Sequence, residues 1–154
     1  MTPTDYELIM WLDPGLTTGQ ASYFPETGEF LSAQHTFNEI GTLVKINGRA
    51  RRRAMAVGCE NYIVTSTGSQ RGKAKYSLKT IGMVEWLAYE QNMTLLPSLP
   101  SSARLLGSTG GKLQKLGWHK PGMNHANDAA QHLLSWLLHH KVLPAETVSK
   151  FFDD

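Results

Sequence analysis

A chain of 154 residues with 41% hydrophobic content can bury roughly 70% of its unfolded surface, so one compact domain over residues 1–154 is expected, without staples. The sole cysteine, Cys59, excludes a disulfide within one chain and fits a reducing, cytoplasmic setting, leaving only a bridge between two copies; no apolar run approaches the roughly 20 residues that span a bilayer. The net charge of +2 hides an uneven division, with six acids and no Lys or Arg in residues 1–44, nine bases and one acid, Glu60, in residues 45–79, and six of each thereafter.

In chain order, Glu7–Leu12 reads as a buried strand ending at the turn Asp13-Pro14-Gly15. Gln20–Phe24 and Phe30–Phe37 are two further strands, joined by a hairpin turn over Pro25–Glu29, so the chain starts as a three-stranded meander. Phe37, Ile40, Leu43, Val44 and Ile46 follow helical spacing, and Ala54–Cys59 is a compact apolar strand ending at Glu60. Thr65–Lys75, rich in Gly, Ser, Thr and bases, reads as an exposed loop suited to phosphate.

Tyr76–Gln91 predicts a helix with Leu78, Ile81, Val84, Leu87 and Ala88 on its buried face, followed by an edge strand over Thr94–Leu99 between Pro97 and Pro100. Ser101 or Ser102 would cap a short helix over Ala103–Leu106, and Gly107–Gly122, with five glycines, Lys112, Lys115 and Lys120, reads as a basic, mobile connection. The last helix is expected from an N-cap at Asn124 to about Lys141, burying Ala129, Leu133, Trp136, Leu137 and His140. Three strands, helix, strand, helix, strand, helix is the ribonuclease H-like order, a five-stranded mixed sheet (three antiparallel strands plus two parallel) flanked by helices on both faces.

Three acids sit where this fold can gather them. Asp13 closes the first strand, Glu60 closes the fourth, and Asp128 opens the last helix; strands one and four are expected side by side and parallel, so both strand carboxylates emerge at one edge. Carboxylates gathered there repel one another and call for bound cations, and oxygen ligands of this kind select Mg²⁺ or Mn²⁺. Two such ions can activate water against a phosphodiester and stabilise its leaving oxygen. His125, three residues before Asp128, shares its helix face and is placed to complete the metal shell or orient the water. Each acid also has a plainer reading. Asp13 precedes Pro-Gly as turn residues do, and Asp128 near a helix start would complement the helix dipole at about 0.3–1 kcal/mol. His132 and His139 read as surface or packing residues, and Cys59 as a small core residue.

The run Leu12-Asp13-Pro14-Gly15-Leu16-Thr17-Thr18-Gly19, then Gly58-Cys59-Glu60, then His125-Ala126-Asn127-Asp128-Ala129-Ala130, resembles the three signature blocks of RuvC-like Holliday junction resolvases in order and spacing. Pro100-Ser101-Ser102-Ala103-Arg104 and Gly117-Trp118 look most like phage-borne members. The resemblance implies a homodimer that makes paired nicks in a four-way junction, leaving 5′-phosphate and 3′-hydroxyl ends, with two Mg²⁺ per site and Mn²⁺ as substitute. Asp13, Glu60, His125 and Asp128 match its catalytic and metal-holding positions, and Lys112 and Lys115 fall where the family has DNA-contacting or catalytic lysines. One departure stands out: many members carry an aromatic residue three positions after the glutamate, where this chain has Ile63 beside Tyr62. Strict junction and sequence selectivity therefore do not carry over, and forks and flaps are open as substrates.

Arg49, Arg51, Arg52 and Arg53 before the Glu60 strand, and Arg71, Lys73, Lys75 and Lys79 after it, would hold phosphates without reading sequence. A solvated charge run is the plainer reading of the first group. The Asp13–Gly19 turn also resembles the phosphate loop of actin-like ATPases, but those need two such domains to enclose a nucleotide. A ribonuclease H acting on RNA–DNA hybrids and an inactive branched-DNA-binding protein remain as alternatives.

Overall fold

The computed structural model describes residues 2–36, 46, 48, 54–60 and 68–153, with backbone alone for residues 36 and 68–74. The strands are β1 (Leu8–Asp13), β2 (Thr17–Phe24), β3 (Glu29–Thr36), β4 (Met55–Cys59) and β5 (Thr94–Leu95); the helices are α1 (Gly68–Gln91), α2 (Lys112–Lys115), α3 (Asn124–His139) and α4 (Ala145–Ser149). The sheet order is β3-β2-β1-β4-β5, with β1–β2 and β2–β3 antiparallel and β1–β4 and β4–β5 parallel. This is the ribonuclease H-like arrangement expected from the sequence.

Alternation along the strands divides the core between two faces. Leu8, Met10 and Leu12 of β1 and Met55 and Val57 of β4 pack on Val84, Leu87 and Ala88 of α1, with buried Ile46 among them. Ile9 and Trp11 of β1, Ala21 and Tyr23 of β2 and Ala56 of β4 pack on Ala129, Ala130, Leu133, Leu134 and Leu137 of α3. Burial of each large aliphatic side chain stabilises by about 1.5–3 kcal/mol. The same alternation puts Asp13 and Glu60 on the α3 side of the sheet, because each is two residues beyond a position facing that helix or lying against Trp11.

Several expectations are corrected. Residues 68–75 are the first turns of α1, not a loop; Gln, Arg, Lys and Ala there are good helix formers, and a packed helix extends without a new nucleation cost. Thr65–Ser66 and residue 67 lie outside the described residues. Leu78 is exposed, because the buried face of α1 turns instead through Ser77, Thr80, Val84, Leu87 and Ala88. The edge strand stops at Leu95, with one further bond from Leu96 N to the Val57 carbonyl, since Pro97 has no N–H to continue the ladder.

Residues 101–108 form successive turns, through bonds such as Ala103 N to Pro100 O and Leu106 N to Ala103 O, in place of the short helix. The glycine-rich connection is packed: it contains α2, buries Leu113, and stacks Trp118 on Phe30 at 4.1 Å. Its glycines serve turns, with Gly110, Gly111, Gly117 and Gly122 all at positive φ. Asn124 is the first residue of α3 and Met123 its cap, while His140 lies exposed at the C-terminal end against Trp136. The predicted helix over Phe37–Ile46 lies outside the described residues except for helical Ile46. Among the described residues, no helix is long and apolar enough to cross a membrane.

Candidate metal centre

Asp13 ends β1 opposite Gly19 of β2, and Glu60 follows β4 with its amide bonded to the Leu12 carbonyl at 3.2 Å, so the two acids stand on neighbouring strand ends. Gly19 brings the third element in. A Cβ there would lie 1.8 Å from the His125 carbonyl oxygen, so only glycine lets the first turn of α3 rest directly on β2. Gln34 of β3 accepts the Ala126 amide at 3.3 Å, and Asn127 clamps the preceding turn, accepting from Lys120 N at 2.9 Å and donating to Lys120 O at 2.8 Å. The helix start is thereby fixed in place and direction.

The result is a cluster of Asp13, His125 and Asp128, each offering a ligand atom within 4.8 Å of the others, among the described residues. His125 Nδ1 lies 3.4 Å from Asp13 Oδ2. Glu60 falls outside that group. It neighbours Asp13, but its Oε2 lies 3.4 Å from His132 Nε2, one turn further along α3. The described site thus has two halves that share Asp13.

Electrostatics reflect the crowding. Burial, followed by the Glu60 charge and a hydrogen bond with its carboxyl, raises the Asp13 pKa to about 6. Glu60 moves the other way, held below the usual carboxylate range chiefly by its bond to His132, which in turn keeps the His132 imidazolium to higher pH. A partly buried acid crowded by two others suits a cation, and two carboxylates with an imidazole form an oxygen-rich donor set that fits Mg²⁺ or Mn²⁺. Cys59 is pushed up to about 12 by burial and the surrounding carboxylates, which leaves its thiol inert.

Beside Glu60 opens a cavity of about 310 Å³ lined by Trp11, Cys59, Glu60, Ser98, Leu99, Arg104 and His132. Trp11 in its wall rests directly against Gly58, where a Cβ would be 2.2 Å from the ring, and its ring lies 6.2 Å from the His132 ring at 20°. Arg104 is anchored through Nε to the Leu99 carbonyl at 2.9 Å. From the sequence His132 reads as a surface or packing residue and Arg104 only as part of a family-like block, yet both line the cavity beside Glu60. The signal for His132 was its spacing, four residues after Asp128 and seven after His125, which puts all three on one helix face.

The basic residues divide. Ser77 of α1 donates to the Pro14 carbonyl at 2.8 Å, which docks the helix against the turn that follows Asp13. From there α1 runs to Gln91, just before β5, so the nine residues before Ser77 extend beyond that contact by about 14 Å at 1.5 Å per residue. That stretch carries Arg71, Lys73 and Lys75; Lys75 and Lys79 are exposed on either side of Ser77. Lys112 bonds to Thr109 and Lys115 to the Phe151 carbonyl, so their ammonium groups are engaged away from the carboxylates. Arg49, Arg51–Arg53, Tyr62 and Ile63 lie outside the described residues.

No family model matches the chain, and no curated protein matches it in sequence. Among solved structures, T. thermophilus RuvC in complex with Holliday junction substrate is similar, at 18% identity and a TM-score of 0.58, covering 87% of this chain and 94% of that one. The chain has the fold of that RuvC, a mixed five-stranded sheet with helices on both faces.

Proposed function

We propose that this chain is a divalent-metal-dependent endonuclease that resolves four-way DNA junctions and related branched DNA. The observation that carries the reading is the convergence of Asp13, His125 and Asp128 at the sheet edge, with Glu60 on the neighbouring strand end, in a fold shared with a protein solved on a Holliday junction. Asp13, Glu60, Asp128 and His125 would hold Mg²⁺, or Mn²⁺ in its place, two ions per site. Bound there, the ions would supply a nucleophile at neutral pH and neutralise charge developing on the phosphodiester.

The chain's own groups do the rest. Asp13 is shared by both halves of the site, and His125 Nδ1 braces its outer oxygen. The first turns of α1, with Arg71, Lys73 and Lys75, and Lys79 beyond Ser77, would hold phosphates of the arm beside the site, while Lys112 and Lys115, bonded to Thr109 and the Phe151 carbonyl, would add weaker contacts. Phosphate contacts of this kind recognise shape, consistent with branched rather than sequence-defined DNA. Paired nicks with 5′-phosphate and 3′-hydroxyl ends need two sites, hence a homodimer. Leu78, Trp86 and Tyr89 support one: they lie exposed on one outer stripe of α1, apolar area that a second copy would cover. The phage-type blocks further suggest a single-domain enzyme acting in a host cytoplasm during recombination or genome maturation.

The test is cleavage of a labelled four-way junction beside linear duplex and an RNA–DNA hybrid, with Mg²⁺ or EDTA. Symmetric, Mg²⁺-dependent nicks confined to branched DNA are expected. Cleavage of the hybrid alone would make the protein a ribonuclease H, and binding without cleavage would make it a branched-DNA-binding protein.

A further inference from the structure

Glu60 stands apart from the compact group of Asp13, His125 and Asp128, and the structure provides a reason for where it stands. Its Oε2 faces His132 Nε2 at 3.4 Å. The imidazole is itself restrained: it lies nearly parallel to the Trp11 indole, whose ring rests directly against Gly58 of β4, and it rises from the α3 face that carries His125 and Asp128. Arg104 lines the same cavity, but its Nε is committed to the Leu99 carbonyl. A glutamate at an open strand end has several rotatable bonds, and holding it in one arrangement before an ion arrives removes an ordering cost from binding.

We infer that His132 is a positioning residue for Glu60: it fixes the carboxylate beside Asp13 so that an incoming divalent ion meets a preset ligand, without touching the ion itself. The inference rests on the metal-centre reading above. Partners of this kind, which bond a ligand rather than the metal, typically change metal affinity by about 10–100-fold when removed.

The experiment is a Mn²⁺ titration of the DNA-free protein by calorimetry, with free Mn²⁺ followed by electron paramagnetic resonance. His132→Leu is expected to weaken Mn²⁺ binding by about 10–100-fold at an unchanged melting temperature. His132→Gln, which keeps a donor nitrogen within reach, is expected to recover most of that affinity. In a Glu60→Gln background His132→Leu should cost nothing more, because the effect runs through Glu60. If His132→Leu does not fold, His132→Asn, polar but too short to reach Glu60, must show the same weakening. Unchanged or tighter Mn²⁺ binding in the folded variant, or a loss that persists without Glu60, overturns the inference. Asp13→Asn separates the two levels: if it leaves Mn²⁺ affinity intact, the metal centre itself is misplaced and the inference falls with it; if Asp13→Asn weakens binding and His132→Leu does not, the inference fails alone.

Discussion

On the α1 side the sheet presents Leu8, Met10, Leu12, Met55 and Val57, aliphatic side chains that fill space against Val84, Leu87 and Ala88. On the α3 side it presents Trp11 and Tyr23, and two glycines at which a methyl group would collide with the His125 backbone or the Trp11 ring. Trp11 Nε1 and Trp136 Nε1 on this side, and Gln20 Oε1 on the α1 side, are buried without a hydrogen-bond partner among the described residues. One side is filled mainly by aliphatic packing against α1; the other brings a helix, two strand ends and their charged groups within ångströms of one another.

Substitutions can break that division. Leu8→Ala, on the aliphatic side and far along β1 from Asp13, should lower stability by about 2–5 kcal/mol while leaving the nicking rate of the folded protein unchanged. Chemical denaturation and junction cleavage below the transition give the two numbers, and a specific rate loss would show that the sides are not separable. Gly19→Ala should do the reverse in emphasis: displacing His125 and Asp128 from Asp13 by about an ångström is expected to cost roughly 10²-fold in rate. Full activity in that variant would mean that α3 is not held by the Gly19 contact.

Two smaller effects sharpen the comparison. Because the folded-state pKa of Asp13 is raised above its usual value to about 6, the folded protein binds its proton more tightly than the unfolded chain does, and Asp13 makes folding less favourable as pH rises from about 4 to about 6. Glu60 and His132 titrate in opposing senses, so the clean observable is a difference. The melting temperature of metal-free Asp13→Asn should gain on that of the unaltered protein across this window, and saturating Mg²⁺ should shrink the gap. A gap independent of pH would remove the crowding argument. On the outer face of α1, Trp86→Glu is expected to shift the protein to a monomer in sedimentation with little change in melting temperature, since Trp86 is 60% exposed in the isolated chain.

Much of this architecture is legible in the sequence because short-range pattern carries it. The apolar run before Asp13, the hairpin signal at Pro25–Glu29 with Gly28 at positive φ, and the compact run before Glu60 each name a strand, and the mixed topology then follows from their order. What escaped depends on partners remote in sequence. Gly107 looks like a loop residue until its amide is seen bonded to Ser135 Oγ at 2.8 Å, with no room for a side chain against α3. His132 looks like a surface histidine because Glu60 lies 72 positions earlier, and only the shared helix face with His125 and Asp128 hinted at the site. The basic stretch at Arg71–Lys75 lacks apolar periodicity, yet its backbone continues a helix whose later turns pack on the sheet.

The central claim, that the Asp13–His125–Asp128 cluster drives metal-dependent cleavage, is tested most directly by measuring binding and nicking of a four-way junction in parallel for Asp13→Asn. The substitution keeps the shape of the side chain and removes its charge. Mg²⁺-dependent nicking is expected to fall by roughly 10³-fold or more, in line with losing several kcal/mol of charge stabilisation, with junction binding undiminished. Nicking at the unaltered rate, or an equal loss of binding and cleavage, would contradict it.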